Sequence, residues 1–364
     1  MTRVETIIVG GGPAGAATAC GLAAAGRDVV LIERSAGPHH KVCGEFLSVE
    51  TQAQLRALGV DAAAMGAVAI DRVAVYSPGR EIGAGLPFRA LSLSRYRLDG
   101  ALLARAALQG ARVKRAIVRN VKAGRDGWMV DCDDQTLHCR TLVLATGKWG
   151  LRGIDDVRDG SRVGLKMHLR LADAQRRALA GRVELFFAGR SYAGLELVED
   201  GVANLCLLMP RELVARLGTG WRPVADHLAR ALPSLAERLA ASEPVWDKPL
   251  AVVCPTGSHL QRDADAVFRV GDRLAHIPPF TGDGLAIALA SANLAAAHIL
   301  AGSTPARYLA AARRLTGKSV RFAGLLSGLA STGPGRAALM GAAAVAPGMI
   351  EGIVRRTRLP LSPL

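Results

Sequence analysis

At 364 residues the chain exceeds one ordinary core, and with half its residues hydrophobic it has enough apolar material for a large α/β domain and a second lobe. Its net charge of +15 favours anionic partners: phosphorylated cofactors, a membrane surface or an acidic carrier protein. Aromatic residues make up only 4% and none interleave with a basic stretch, which argues against nucleic acid.

Thr6 to Val9 is a short β-branched apolar run, read as a buried parallel strand. It stops at Gly10-Gly11-Gly12-Pro13-Ala14-Gly15, which holds the spacing Gly10-x-Gly12-x-x-Gly15. An Ala-rich helix follows from Ala14 to Ala25, ended by Gly26, and Val29 to Ile32 is a second strand closing on Glu33 and Arg34. Gly10 permits the tight turn, Gly12 the approach of backbone N–H groups to a pyrophosphate, and Gly15 the packing of helix on strand. Glu33 stands where an acid accepts hydrogen bonds from a ribose, so the unit predicts a dinucleotide site.

Beyond it, Lys41-Val42-Cys43-Gly44-Glu45-Phe46 forms a loop, and Ser48 caps a helix reaching Leu58. Arg72 to Tyr76 and Arg80 to Gly85 predict a hairpin around Ser77-Pro78-Gly79. Leu93 to Asp99 leads into a helix over Gly100 to Gln109, and Val113 to Val121 is a strand. A hairpin of Trp128 to Cys132 with Thr136 to Cys139 precedes the apolar run Thr141 to Thr146, which turns at Gly147. From Gly160 to Gly257 alternating strands predict an inserted sheet: Val163 to Leu171, Val183 to Ala188, Leu195 to Val198 and Ala203 to Met209. The helix Trp221 to Ala231 is expected to cover one side of it. Ala266 to Val270 is a returning strand, Leu285 to Ala301 a buried helix, and the chain from Pro305 an Ala/Arg-rich helical region.

The six cysteines form no CxxC pair or zinc spacing, so no metal site is expected. They indicate a reducing, cytoplasmic setting, and the immediate start into a strand predicts no signal peptide. The basic stretch Arg336 to Arg358 suits peripheral contact with a membrane or an acidic carrier.

Four motifs in order carry a family resemblance: Gly10-x-Gly12-x-x-Gly15 with Glu33, Arg95-x-x-Leu98-Asp99, Leu144-Ala145-Thr146-Gly147, and Gly271-Asp272 followed by Pro279-Phe280-Thr281-Gly282-Asp283-Gly284. The chain resembles the FAD-dependent oxidoreductases that include para-hydroxybenzoate-hydroxylase-like monooxygenases, flavin-dependent halogenases and geranylgeranyl reductases. The resemblance implies a Rossmann-like, doubly wound α/β FAD-binding domain of glutathione-reductase type over 1–72, 93–159 and 265–304. A substrate-binding β-sheet domain over 73–92 and 160–264 interrupts it, and helices complete the chain over 305–364. It implies FAD held by Gly10, Gly12, Pro13, Ala14, Gly15, Glu33, Arg34, Lys41 and Arg95, then by Ala145, Thr146, Gly147, Gly271, Asp272, Pro279, Gly282, Asp283 and Gly284. Independently of the family, Gly282 and Gly284 leave N–H groups open at a helix start, suited to negative charge on a reduced ring.

Lys41-Val42-Cys43-Gly44-Glu45 looks most like the geranylgeranyl-reductase branch. Cys43 reads either as a thiol working at the ring or as a small buried residue, and Glu45 as a flavin or substrate contact or a solvated charge. His276 is either an acid–base group or a histidine bonded to backbone. Lys166, His168 and Arg170 share one strand face, which is either solvent or a polar wall of the substrate pocket. Tyr192 and Phe280 complete the substrate candidates. The hydroxylases' Asp-Gly is replaced by Thr146-Gly147, which bears on NAD(P)H handling. Tyr192-Ala193-Gly194-Leu195-Glu196-Leu197 keeps only the tyrosine of the prenyl reductases' aromatic anchor, and the halogenase W-x-W-x-I-P is missing. The resulting expectation is an NAD(P)H-supported monooxygenase acting on an apolar aromatic, polyketide or prenylated molecule. The alternatives are a C=C reductase and, of a different class, a flavin-binding protein without turnover.

Overall fold

The computed structural model describes residues 3–154, 160–218, 220–254, 258–261, 266–346 and 348–360. Strand β1 (Arg3–Val9), helix α1 (Pro13–Ala24) and strand β2 (Val29–Glu33) form the opening unit, with β1 and β2 parallel. The turn between β1 and α1 requires its glycines. A Cβ on Gly15 would lie 1.9 Å from the Gly10 carbonyl oxygen, and Gly10 has φ 107° against Ala145.

Strand β3 (Phe46–Leu47) and helix α2 (Val49–Ala57) follow, the Ser48 hydroxyl capping α2 by accepting the Thr51 N–H. The long hairpin β4 (Val68–Ser77) and β5 (Arg80–Ser92) precedes α3 (Arg95–Leu108). Helix α3 starts earlier than the sequence suggests, because Ser94 is its N-cap and brings Arg95 and Asp99 onto one face. The single strand expected at 113–121 is two, β6 (Arg112–Arg115) parallel to β2 and β7 (Val118–Gly124) turning back into β8 (Gly127–Cys132). The second half of that hairpin runs on without a break into the apolar strand, as β9 (Thr136–Leu144). The nucleotide sheet therefore has the order β6-β2-β1-β9-β8-β7.

The second sheet is built from β10 (Arg162–Arg170), β11 (Arg182–Ala188), β12 (Ser191–Leu197) and β13 (Ala203–Pro210), with α4 (Asp173–Leu179) between β10 and β11. Strand β11 pairs parallel to β4, so the hairpin β4–β5 extends this sheet. Helices α5 (Arg211–Leu217), α6 (Trp221–Ala231) and α7 (Pro233–Leu239) cover one face, where Val224, Leu228 and Leu235 pack on Leu165, Leu195 and Leu207. Alternation puts Lys166, His168, Glu196, Asn204 and Cys206 on the opposite face, which is also buried. A sheet covered on both sides explains why every residue of β12 is buried.

Edge strands β14 (Glu243–Pro244) and β15 (Leu250–Cys254) flank β10, and β16 (His259–Leu260) pairs with β18 (Ala275–His276). Strand β17 (Phe268–Arg269) joins β9 in the nucleotide sheet. Helix α8 (Gly284–Leu300) is buried against α1, where a Cβ on Gly21 would stand 3.1 Å from that of Ala296. Helix α9 (Pro305–Ala330) packs on α8, and α10 (Gly333–Val345) and α11 (Gly348–Thr357) then pack across the β4–β5 side of the second sheet. Among the described residues no single helix is long and apolar enough to cross a membrane. The boundaries expected at 159, 257, 264 and 265 lie outside the described residues.

Candidate active site

The crevice between the two sheets is framed by two helix starts that no side chain caps. Gly12, which has no side chain, precedes α1, and Asp283, whose side chain makes no cap hydrogen bond, precedes α8. Helix starts of this kind attract negative charge. Beside the first, Glu33 accepts the Gly11 N–H at 2.7 Å and the Ser35 N–H at 2.9 Å. Burial alone would raise its pKa, but those N–H groups and Lys41 outweigh it and hold the carboxyl below its usual range. The Arg95 guanidinium lies over the same turn, 3.9 Å from where a Cβ on Gly12 would be. Asp99 fixes it bidentately at 2.6 and 2.9 Å and also takes Lys41 at 2.8 Å, so Lys41 is spent on Asp99.

At the second start, Gly282 adopts φ 73° beneath Phe46, and a Cβ there would meet the ring at 2.8 Å. Gly284 is exposed, with open space around it. Asp283 turns away from the crevice. Its Oδ1 lies 2.8 Å from the Arg358 guanidinium, and burial pushes its pKa up to about 7 against that pairing. Arg358 also donates to the Thr281 carbonyl at 2.7 Å, tying the end of α11 to this loop. Asp272 is half-buried and faces Lys148, just beyond Gly147. Burial would lower the Lys148 ammonium, yet Asp272 and nearby thiols hold it above its usual value.

The polar face of the second sheet is anchored by Glu45, which is fully buried and holds a left-handed φ of 59° without being glycine. Its carboxylate pairs with Lys166, meets His168 Nε2 at 3.0 Å and accepts the Arg95 N–H at 2.6 Å. Burial raises its pKa, but His168 and Lys166 more than reverse this and keep it ionised. His40 packs edge-on to His168 and against Trp246; burial first, then His168 and Lys166, lowers its pKa to about 4. His40, Glu45 and His168 bring three ligand atoms within 4.8 Å of one another, but the Lys166 ammonium already neutralises the carboxylate a cation would need.

One row along the sheet, Glu196 has a different environment. It is buried and accepts a hydrogen bond from the Asn204 amide at 2.7 Å. The same Asn204 amide nitrogen donates to the Cys43 carbonyl at 3.2 Å. Burial pushes the Glu196 pKa up to about 8, with Asn204 opposing. Glu196 and Cys206 lie on an apolar cavity of about 200 Å³. Gly44, Phe46 and the loop Pro279 to Gly282 form one side of it, and aliphatic residues of β4, β5, β11 and α9–α11 most of its remaining wall. Phe187, Tyr192 and Phe280 stand in it with ring centroids 5.6 to 5.9 Å apart.

Of the predicted substrate residues, Tyr192 and Phe280 therefore line the cavity and His168 does not, being held on Glu45. The shared face of Lys166 and His168 is neither solvent nor pocket wall but an internal ion-pair layer; Arg170 alone of the three is exposed. Glu45 has its carboxylate filled by protein partners rather than facing a ring. Cys43 accepts the Glu45 N–H at 3.3 Å. His276 is buried on β18 and borders a smaller, adjoining cavity with Arg162 and Arg190. The sequence reading missed Glu196, Asn204, Cys206 and Lys148. An acid inside an otherwise apolar strand, Ser191–Leu197, was the available signal for the first.

Residues 3–151 match the family described as FAD binding domain. The menaquinone reductase of Mycolicibacterium smegmatis is 26% identical, covering 83% of this chain and 77% of that protein. That of Mycobacterium tuberculosis is 28% identical over 80% and 75%. Among solved structures, the flavin-dependent brominase Bmp2 superposes with a TM-score of 0.80 at 18% identity, covering 98% of this chain and 93% of that one. Pseudomonas aeruginosa PqsL in complex with 2-aminobenzoylacetate gives 0.74 at 18%, over 93% and 99%. These two likenesses establish the fold. The two uncapped helix starts, the side-chain-free surface at Gly12 and Gly284 and the acid at Glu33 fit the pyrophosphate, ring and ribose of FAD.

Proposed function

We propose that this chain, whose residues 3–151 match the FAD binding domain family, is an FAD-dependent oxidoreductase that hydroxylates an apolar phenolic or related aromatic molecule held in the apolar cavity. The observation that carries the reading is Glu196, a buried acid with its pKa pushed up to about 8, lining an apolar cavity that also meets the Pro279–Gly282 loop. A group titrating near working pH suits exchange of a proton with a phenolic hydroxyl. The Phe187, Tyr192 and Phe280 rings offer faces for an aromatic substrate, and the aliphatic wall suits its apolar surface.

Bound FAD supplies the redox chemistry, with reduced pyridine nucleotide and dioxygen as co-reactants. One oxygen atom enters a C–H bond of the substrate and the other leaves as water, while the nicotinamide is oxidised. Asp272 and Lys148 would flank the ribityl side, and Arg95 the pyrophosphate. The test is to reduce the purified protein anaerobically and mix it with oxygenated buffer and an alkylphenol in stopped flow. A transient absorbing species before the oxidised flavin spectrum returns, together with hydroxylated product, supports the reading. Featureless reoxidation with no product overturns it.

The second reading is reduction of a carbon–carbon double bond, favoured by the menaquinone reductases among the relatives and by the Lys41–Glu45 motif. There the protonated Glu196 would give its proton to one carbon while a hydride reaches the other. Anaerobic loss of a double bond with stoichiometric oxidation of reduced flavin distinguishes the two.

A further inference from the structure

Helix α10 breaks the rule that a surface helix carries charge on its outer face. Its sequence, GPGRAALMGAAAV, holds a single charged residue, Arg336, and that guanidinium is turned inward onto the carbonyls of Gly189 and Ala330. Leu339, Met340 and Ala343 point to the cavity. The outer side is nonetheless exposed and consists of Ala337, Ala338, Ala342 and Val345, the last 88% exposed. Helix α9 extends this apolar area through Leu325 and Leu329, 64% and 44% exposed. Scattered surface hydrophobics are ordinary, but a helix apolar on both sides with one side open to water is not.

The charge around the patch identifies what covers it. From Pro305 to Pro360 there are nine lysines and arginines and one acid, Glu351, which is already paired with Arg355 at 2.7 Å. Arg314, Lys318 and Arg321 are exposed on the α9 stripe that continues, at helical spacing, into Leu325 and Leu329. Arg356 is exposed near the far end of α11. An apolar centre flanked by unopposed cations matches an anionic lipid surface, in which apolar side chains enter the acyl boundary and cations meet the headgroups.

We propose that the outer face of α10, with the C-terminal end of α9, seats the protein on an anionic lipid bilayer. The helices would then form a wall with lipid on one side and the substrate cavity on the other, placing the cavity beside the phase in which apolar molecules dissolve. The proposal does not depend on which reaction follows, because binding is read without turnover.

The test is co-sedimentation of the FAD-loaded protein with vesicles of mixed phosphatidylglycerol and phosphatidylcholine, against pure phosphatidylcholine. The expected result is binding to the anionic vesicles that weakens at least about tenfold on neutral vesicles or at raised salt. Leu325→Asp with Val345→Asp should abolish it while leaving FAD content and melting temperature unchanged. Lys318→Glu with Arg321→Glu, on an exposed helix face, gives an independent reading and should weaken binding to anionic vesicles only. Wild-type protein that ignores anionic vesicles overturns the proposal, including the case in which it binds an acidic acyl carrier protein instead. Equal binding by both double variants also overturns it.

Discussion

Glu45 and Glu196 are two buried carboxyls on one face of one sheet, and their surroundings drive them to opposite charge states. Glu45 has Lys166, His168 and the Arg95 N–H around it, and these together overcome the cost of burial. Glu196 has an amide from Asn204, too weak to do so, and its pKa rises to about 8. Burial itself is common to both, so the nearby cations make the difference. The ionised member ties together a loop, helix α3 and strand β10. The other keeps a proton beside a cavity, where it can be exchanged. Structural and chemical roles are thus separated by a few ångströms of side-chain placement.

The largest effect is expected on removing the charge of Glu45. Glu45→Gln leaves Lys166 buried without its counter-ion, which should cost about 3–5 kcal/mol and lower the melting temperature by roughly 4–7 °C. Adding Lys166→Met should restore most of that loss, because the pair is then removed as a unit. A double variant as unstable as the single would show that Glu45 matters through its strained backbone or its Arg95 contact instead.

Glu196→Gln should have the opposite profile, with turnover lowered by about a hundredfold or more and both folding and FAD content intact. Wild-type activity against a set of alkylphenols is the reference. Retained turnover would remove Glu196 from the chemistry while leaving the FAD assignment untouched.

The two carboxyls also predict stability slopes of opposite sign. In the folded state Glu196 keeps its proton to about pH 8, whereas an unfolded glutamate releases it near 4.5, so the folded state binds more protons between those values. Its contribution therefore falls as pH rises from about 4.5 to about 8, by at most about 1.4 kcal/mol per pH unit, and is level above. Glu45, with a lowered pKa, contributes stability that is complete above its unfolded value and is lost as pH falls through its folded one. Denaturant midpoints for wild type and Glu196→Gln across this range should converge at acid pH and separate toward pH 8, with the variant more stable.

How much of this was legible in the sequence depended on how local the determinant was. Gly10 to Gly15 with Glu33 could be read because strand, turn, helix and acid lie within one stretch and each glycine meets a near neighbour. The shared face of Lys166 and His168 was also readable from period two. Its burial was not, because the counter-charge comes from Glu45, 123 residues before His168. Glu196 escaped for the same reason: its state depends on a sheet covered on both faces and on cross-strand pairing with Asn204. The cavity wall comes from helices near the end of the chain, whose Ala-rich composition names no partner by itself.

The smallest and sharpest test is Asn204→Ala. The assignment of its amide is fixed by the Cys43 carbonyl, which can only accept, so the same nitrogen must face Glu196. That bond favours the ionised carboxylate, and removing it should move the upper limb of the pH–rate profile to higher pH. The loss amounts to about one hydrogen bond, ~1 kcal/mol, too little to unfold the protein. It also removes one of the bonds that hold the Cys43–Glu45 loop to the sheet. If the limb moves while the melting temperature holds, Asn204 tunes the acid; if stability falls and the limb stays, its main partner is the loop. The first result would mean that the contrast between the two glutamates is graded by single neighbours, so that a cation introduced at position 204 by Asn204→Lys should turn Glu196 into a second Glu45.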